Sequence, residues 1–427
     1  MKSTRRQFVV GCSAAVAAMA GTRLSMAAFA TEASAGDALV VVFLRGGMDG
    51  LSLLAPMDGP DRAHYVAARP TLALPAAGSQ ALLPLAPPFG LSPAAAELYP
   101  LYQDGRVAFV LACGLNHDTR SHFDAQEFME LGTPGVRSTA TGWLTRHLKS
   151  TTPAGGPVLI PTLAVGGSQP ASLRGDWGTV AMTSPDHFNL DTGPWRWRDA
   201  QRATLRRLCS GGGAAVFTAG NRALDAVDIV EAMLGEPGPP ANGVQYPETE
   251  MGRQFRLIAS LIKQDLGLRV ATVDVGGWDT HVAQAWAPAE GWFPTLLGEL
   301  SASLAALYQD LDGSQADALS RRLTVVVLSE FGRRVRENAD RGTDHGHGNV
   351  MLLLGGNVVG GVHGRWPGLA PEQLYDGADL AITTDYRQVL AEVLVRRLGN
   401  PHLSEVFPGL VAYAPLGVVR GTDLPVD

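Results

Sequence analysis

The stretch Ala38-Leu39-Val40-Val41-Val42-Phe43-Leu44 runs straight into Arg45-Gly46-Gly47-Met48-Asp49-Gly50. Seven apolar residues with no polar alternation do not suit a strand with one wet face. They suit a strand buried on both faces, as in a mostly parallel sheet covered by helices. Residues 107–112, 268–275, 323–328 and 350–354 have the same character. Between these runs, residues 92–103, 221–234, 251–266, 293–311 and 386–398 repeat apolar residues at helical spacing. Ser92-Pro93 supplies a cap and a first helical residue, and Thr384 and Asp385 can cap the helix that begins at Tyr386. Strands alternating with helices predict an α/β fold, a three-layer α/β/α sandwich with a mostly parallel central sheet.

Residues 53–90 and 133–200 interrupt this alternation. The first is rich in Pro, Ala and Leu and reads as an irregular excursion. The second carries many Gly, Pro, Trp and Thr and reads as an insertion with short strands or loops. There is no internal repeat and no long linker, so residues 31–427 are expected to form a single domain.

Residues 1–30 read differently. Arg5-Arg6-Gln7-Phe8 opens a short apolar run, and Ala28-Phe29-Ala30 offers small residues at the two positions a signal peptidase reads. This is the order of a twin-arginine signal peptide, which predicts a periplasmic or secreted protein. The apolar run is too short and too rich in Ala and Gly to span a bilayer, and residues 257–275 are interrupted by Lys263, Asp265 and Arg269. The cleaved protein is therefore expected not to span a membrane. The formal charge is −7, and loss of Lys2, Arg5, Arg6 and Arg23 with the signal makes it −11. An acidic chain without a basic block argues against a nucleic-acid partner. Cys113 and Cys209 remain after cleavage, and a single possible pair is no disulfide framework.

The polar residues collect where the apolar runs end, which is where ligands bind in open α/β sheets. The run at 107–112 leads into His117-Asp118-Thr119-Arg120-Ser121-His122-Phe123-Asp124. The run at 268–275 contains Asp274 and leads into Trp278-Asp279-Thr280-His281. The run at 323–328 leads into Ser329-Glu330-Phe331-Gly332-Arg333, and Asp344-His345-Gly346-His347-Gly348 precedes the last run. Five of the ten histidines lie in these segments, each with carboxylates nearby. Imidazole with carboxylate suits zinc or manganese, and carboxylate alone would suit magnesium or calcium. Each piece also has a structural reading. Asp49 can make a turn with Gly50, Ser121 and Asp124 fit a helix capping box, and Glu330 can pair with Arg333. Coincidence of the clusters at one end of one sheet favours a site. A capping Ser121 would also sit at the positive end of a helix, where an anion binds and a hydroxyl nucleophile is useful.

Phe43-Leu44-Arg45-Gly46-Gly47-Met48-Asp49-Gly50-Leu51, Arg120-Ser121-His122-Phe123-Asp124-Ala125-Gln126, Gly277-Trp278-Asp279-Thr280-His281, Ser329-Glu330-Phe331-Gly332-Arg333 and Asp344-His345-Gly346-His347-Gly348 resemble the motifs of the DUF1501 family of exported bacterial proteins. That family is similar in fold to the alkaline phosphatase superfamily. The resemblance implies a hydrolase of phosphate or sulfate esters acting on a small anionic or envelope substrate. It implies Ser121 as nucleophile, with Thr119 in reserve and Arg120 and His122 beside it. It implies divalent metal ligands drawn from Asp49, Asp274, Asp279, His281, Glu330, Asp344, His345 and His347. The superfamily strand that corresponds to 323–328 ends in Asp-His, whereas this one ends in Ser329-Glu330. Either Glu330 replaces the Asp and a ligand is missing, or Asp344-His345 reaches in from its loop. A non-catalytic exported protein of the same fold is the competing expectation.

Overall fold

The computed structural model describes residues 36–151, 160–184, 197–210, 215–234, 239–312 and 318–427. Residues 1–30, which the sequence reads as a signal peptide, and parts of the 133–200 segment lie outside them. The fold is α/β, built on a nine-stranded mixed sheet. In chain order the strands are β1 (Ala38–Leu44), β2 (Val107–Gly114), β3 (Thr162–Val165), β4 (Val180–Met182), β5 (Val270–Val275), β6 (Leu323–Ser329), β7 (Asn349–Leu354), β8 (Gly361–His363) and β9 (Thr384–Asp385). Their lateral order is β8-β2-β7-β6-β1-β5-β3-β4, with β9 also paired to β2. Only β7 runs against its neighbours, β2 and β6; the other pairings are parallel.

The opening stretch is β1 with the bounds read from sequence, and it lies between β5 and β6. All seven of its residues are buried. Val40, Val42 and Leu44 join one core with Phe255, Ile258, Leu300 and Leu304, from helices Glu250–Lys263 and Trp292–Leu311. Leu39, Val41 and Phe43 join a second core with Phe128, Trp143, Val389 and Leu390, from helices His122–Leu131, Trp143–Ser150 and Tyr386–Arg396. Burying a large apolar side chain stabilises by about 1.5–3 kcal/mol. A strand with a core on each face therefore retains apolar residues at every position.

Several expectations change in detail. The 53–90 excursion is ordered: it holds helix Gly59–Ala68 and a three-stranded antiparallel sheet of Leu54–Pro56, Leu83–Pro84 and Phe89–Leu91. The 133–200 segment supplies helix Trp143–Ser150 and the strands β3 and β4, which extend the main sheet through β5. Residues 92–103 divide into a 3-10 turn, Pro93–Leu98, and a short helix, Tyr99–Gln103. Ser92 caps the turn by accepting from the Ala94 N–H. Cys113 and Cys209 are both free thiols. No helix among the described residues is long and apolar enough to cross a membrane.

Candidate functional site

Four parallel strands, β1, β2, β5 and β6, end at one edge of the sheet. Because β7 is antiparallel, its first residue lies at that same edge. This reversal lets the 344–348 loop meet the loops that follow the other four strands. Gly332 N–H donates to the His347 carbonyl at 2.9 Å, and Gly346 N–H donates to the Gly332 carbonyl at 2.9 Å. A Cβ on Gly332 would lie 2.0 Å from the Gly348 oxygen, so the two loops meet backbone to backbone.

Three imidazoles and one carboxylate converge there. His122 Nε2 and His345 Nε2 are 2.9 Å apart, and so are His281 Nε2 and His345 Nε2. Asp279 Oδ1 lies 3.0 Å from His281 Nε2, 3.2 Å from His345 Nε2 and 3.4 Å from His122 Nε2. The cluster is open to solvent on one side: the Asp279 and His281 side chains are 48% and 40% exposed. Of these, His122, His345 and Asp279 lie close enough to one another to hold a metal ion.

Each histidine is oriented through its other nitrogen. His122 Nδ1 lies 2.7 Å from Glu330 Oε1, His345 Nδ1 lies 2.8 Å from the Arg120 carbonyl oxygen, and His281 Nδ1 lies 3.3 Å from Asp344 Oδ1. Glu330 is fully buried and also accepts from Gly46 N–H, Gln126 Nε2 and Ser329 Oγ. Burial pulls its carboxyl up, but the hydrogen bonds from His122 and Gln126 hold it below the usual carboxylate range. The Glu330 hydrogen bond in turn raises the His122 imidazole, while burial lowers that of His345. Asn338 Nδ2 donates to Asp344 at 3.1 Å and, with His281, keeps that carboxyl low.

Arg333 stitches the loops together. From a fully buried position it donates to the carbonyls of Gly46, Gly47, Trp278 and Thr343. Its Nη2 also donates to Asp279 Oδ1 at 2.6 Å. Burial would raise the Asp279 carboxyl, but the Arg333 hydrogen bond and charge bring it down to about 2. The pairing read from sequence between Glu330 and Arg333 is thus divided, with Glu330 serving His122 and Arg333 serving Asp279.

The other expected site residues have different surroundings. Asp49 is buried in a two-pronged ion pair with Arg69, at 2.6 and 2.9 Å, and accepts further from Ser52 Oγ and Gln284 Nε2. Burial pulls its carboxyl up, and Arg69 overrides that and lowers it. Asp274 pairs with Arg45 at 2.9 Å, and Arg45 also grips Glu130 with both terminal nitrogens. His347 stacks on Tyr375 with ring centroids 4.0 Å apart, and burial with nearby Arg120 pulls its imidazole down to about 4. The structure therefore does not bring Asp49, Asp274 or His347 into the cluster. The Arg120 side chain turns to Asp379 and Asp376, leaving its carbonyl to orient His345. Ser121 is the N-cap of helix His122–Leu131, its Oγ accepting from Asp124 N–H at 3.5 Å. Sequence reasoning missed Gln126, Asn338 and the Arg333–Asp279 contact. Gln126 sits one helical turn after His122, a spacing that places both on one helix face.

No curated protein matches this chain. The sequence pattern of a family described as "Protein of unknown function (DUF1501)" matches residues 117–401. That span is more than half of the chain and contains His122, Asp279, His281, Glu330, Arg333, Asp344 and His345, while β1 and Asp49 precede it. The chain therefore belongs to the DUF1501 family.

Proposed function

We propose that this protein is an exported, metal-dependent hydrolase of phosphate or sulfate esters, working at the histidine cluster on the sheet edge. The observation that carries the reading is the convergence of His122, His345 and Asp279, donors that fit a divalent ion, at an edge open to solvent. A bound divalent ion would supply positive charge toward an anionic ester. Ser121 precedes His122 at the N-terminus of a ten-residue helix, where the backbone N–H groups and the helix dipole favour an anionic group. Ser121 Oγ would attack the phosphorus or sulfur as its proton passes to solvent. The ester oxygen bond would break and the alcohol would leave with a proton from solvent. Water would then cleave the seryl ester, releasing phosphate or sulfate and restoring Ser121. Arg120 acts through its carbonyl by holding His345. An alkaline phosphatase-like, three-layer arrangement and periplasmic or secreted placement through the twin-arginine signal belong to the same proposal. The acidic composition fits a small or envelope-derived substrate, not nucleic acid.

The test is a panel of aryl phosphates and aryl sulfates on the cleaved, metal-loaded protein. Turnover should fall on the order of a hundredfold or more in Ser121→Ala, with metal content unchanged. Absence of turnover across the panel would sink the proposal. A second reading, a non-catalytic exported protein that binds a metal or an envelope partner, draws on one observation. Asp49 and Asp274, which could have served a second ion, are engaged by Arg69 and Arg45. Bound metal without turnover would favour it.

A further inference from the structure

The geometry points to a mononuclear centre in which His122, His345 and Asp279 hold one divalent transition-metal ion of the zinc class, with His281 beside them outside the ligand set. This deepens the metal reading above and does not require catalysis.

The first argument is tautomeric. A neutral imidazole carries one N–H and one lone pair. The Arg120 carbonyl can only accept, so His345 carries its proton on Nδ1. Glu330 and Asp344 accept in the same way from His122 and His281. All three Nε2 atoms then present lone pairs. His345 Nε2 faces those of His122 and His281 at 2.9 Å, and the Asp279 carboxylate adds negative charge. Lone pairs gathered this closely repel unless a cation, a metal ion or a proton, lies among them. Carboxylates and carbonyls behind ligating histidines are the usual means of aiming Nε2 at a metal.

The second argument is spacing. Metal–nitrogen bonds of about 2.0–2.1 Å in a tetrahedron place ligand atoms roughly 3.3 Å apart. The three separations among His122 Nε2, His345 Nε2 and Asp279 Oδ1 run from 2.9 to 3.4 Å, and they leave the fourth position of a tetrahedron open. His281 Nε2 approaches His345 Nε2 and Asp279 Oδ1 but lies outside the set of mutually close donors, which is His122, His345 and Asp279. Arg333 occupies one side of Asp279 Oδ1 and leaves the carboxylate a further lone pair. Two imidazoles select against magnesium and calcium, which prefer oxygen donors. Two ions would need about six ligands, and among the described residues only this one cluster gathers.

The experiment strips the full cleaved protein with a chelator and titrates it with zinc, cobalt, magnesium or calcium. Bound metal is measured by elemental analysis, and cobalt coordination by its visible absorption. One zinc or cobalt per chain is expected, with a four- or five-coordinate cobalt spectrum and no retention of magnesium or calcium through gel filtration. His122→Ala and His345→Ala should each weaken zinc binding at least tenfold, while Asp274→Asn binds as the unsubstituted protein does. Circular dichroism of the stripped variants checks that they remain folded. His122 and His345 are only partly buried, so their replacement tests ligation with limited demand on the core. Two ions per chain, no zinc binding, or unchanged affinity in folded His345→Ala would overturn the inference. One bound zinc without ester hydrolysis would leave it standing and defeat the hydrolase reading alone.

Discussion

His122 Nδ1 lies 2.7 Å from Glu330 Oε1, and that contact gives Glu330 a role distinct from ligation. The same oxygen accepts from Gly46 N–H and Gln126 Nε2, so the carboxylate is held from three sides and faces the imidazole. Replacing it with Gln keeps the size, removes the charge and weakens the hold on the His122 tautomer. Loss of an orienting carboxylate costs roughly 10–100-fold in metal affinity. Glu330→Gln should fall in that range for zinc, read by competition with a chelating dye. Equal affinity in the variant and the unsubstituted protein would show that Glu330 does not aim His122.

The strands of the sheet centre were legible because burial on both faces demands unbroken apolar runs, and β1 satisfies that demand at every position. The strands β3 and β4 were not, because three or four residues at one side of a sheet need no long run, and theirs lie among Gly, Pro and Trp. Thr384 and Asp385 pair as a strand with β2 while Asp385 also caps the next helix, so the cap reading was right and incomplete. At the site, the positions of the His and Asp residues followed from their places after apolar runs. Their partners did not. Whether Asp49 faces imidazoles or Arg69 depends on how helix Gly59–Ala68 returns Arg69 to the core, and no periodicity encodes that. Glu330 as ligand or as orienter likewise turned on helix His122–Leu131 presenting His122 and Gln126 to it.

The Asp49–Arg69 pair makes its own prediction. Both side chains are almost wholly buried, and each relies on the other for charge balance. Breaking a buried pair from one side leaves a charge without compensation and costs about 3–5 kcal/mol. Asp49→Ala should lose that much in urea unfolding. Under conditions where the variant stays folded, zinc should bind with unchanged stoichiometry. A loss below about 1 kcal/mol, the range of exposed pairs, would contradict the structural role.

Gly46 is held by geometry. Its φ of 122° lies where side chains are strained, and an added Cβ would sit 2.5 Å from the Asp279 backbone nitrogen. Gly46→Ala should cost about 1–3 kcal/mol from the backbone conformation, with more from the clash. The displacement would fall on the loop carrying Asp279, so zinc affinity should drop as well. Gly276 is the matched comparison: it lies in the same strand-end region and has open space where a Cβ would go. Gly276→Ala should stay within about 0.5 kcal/mol, the range of ordinary surface changes. Equal unfolding midpoints for the two variants would count against the tight approach of the 45–50 and 278–279 loops.

His147 supplies a pH dependence away from the metal cluster. It is buried in helix Trp143–Ser150, where its Nδ1 accepts from Asn400 Nδ2 at 2.9 Å. Burial, with the positive charge of Arg269 nearby, lowers its imidazole from 6.5 to about 3. The folded state therefore stays unprotonated at His147 between those values, while the unfolded chain takes up the proton. Its contribution to stability is complete above about pH 6.5 and is lost as pH falls toward 3, at about 1.4 kcal/mol per pH unit. His147→Gln retains a hydrogen-bond acceptor and cannot titrate. Urea unfolding at pH 7 and pH 5 should show a decline for the unsubstituted protein that exceeds the decline for the variant by about 2 kcal/mol. Carboxylates that titrate in the same range act alike in both proteins, so the difference isolates His147. Parallel declines would mean that the imidazole is protonated in the fold, and the hydrogen bond from Asn400 could not then be donated to Nδ1 as the structure has it.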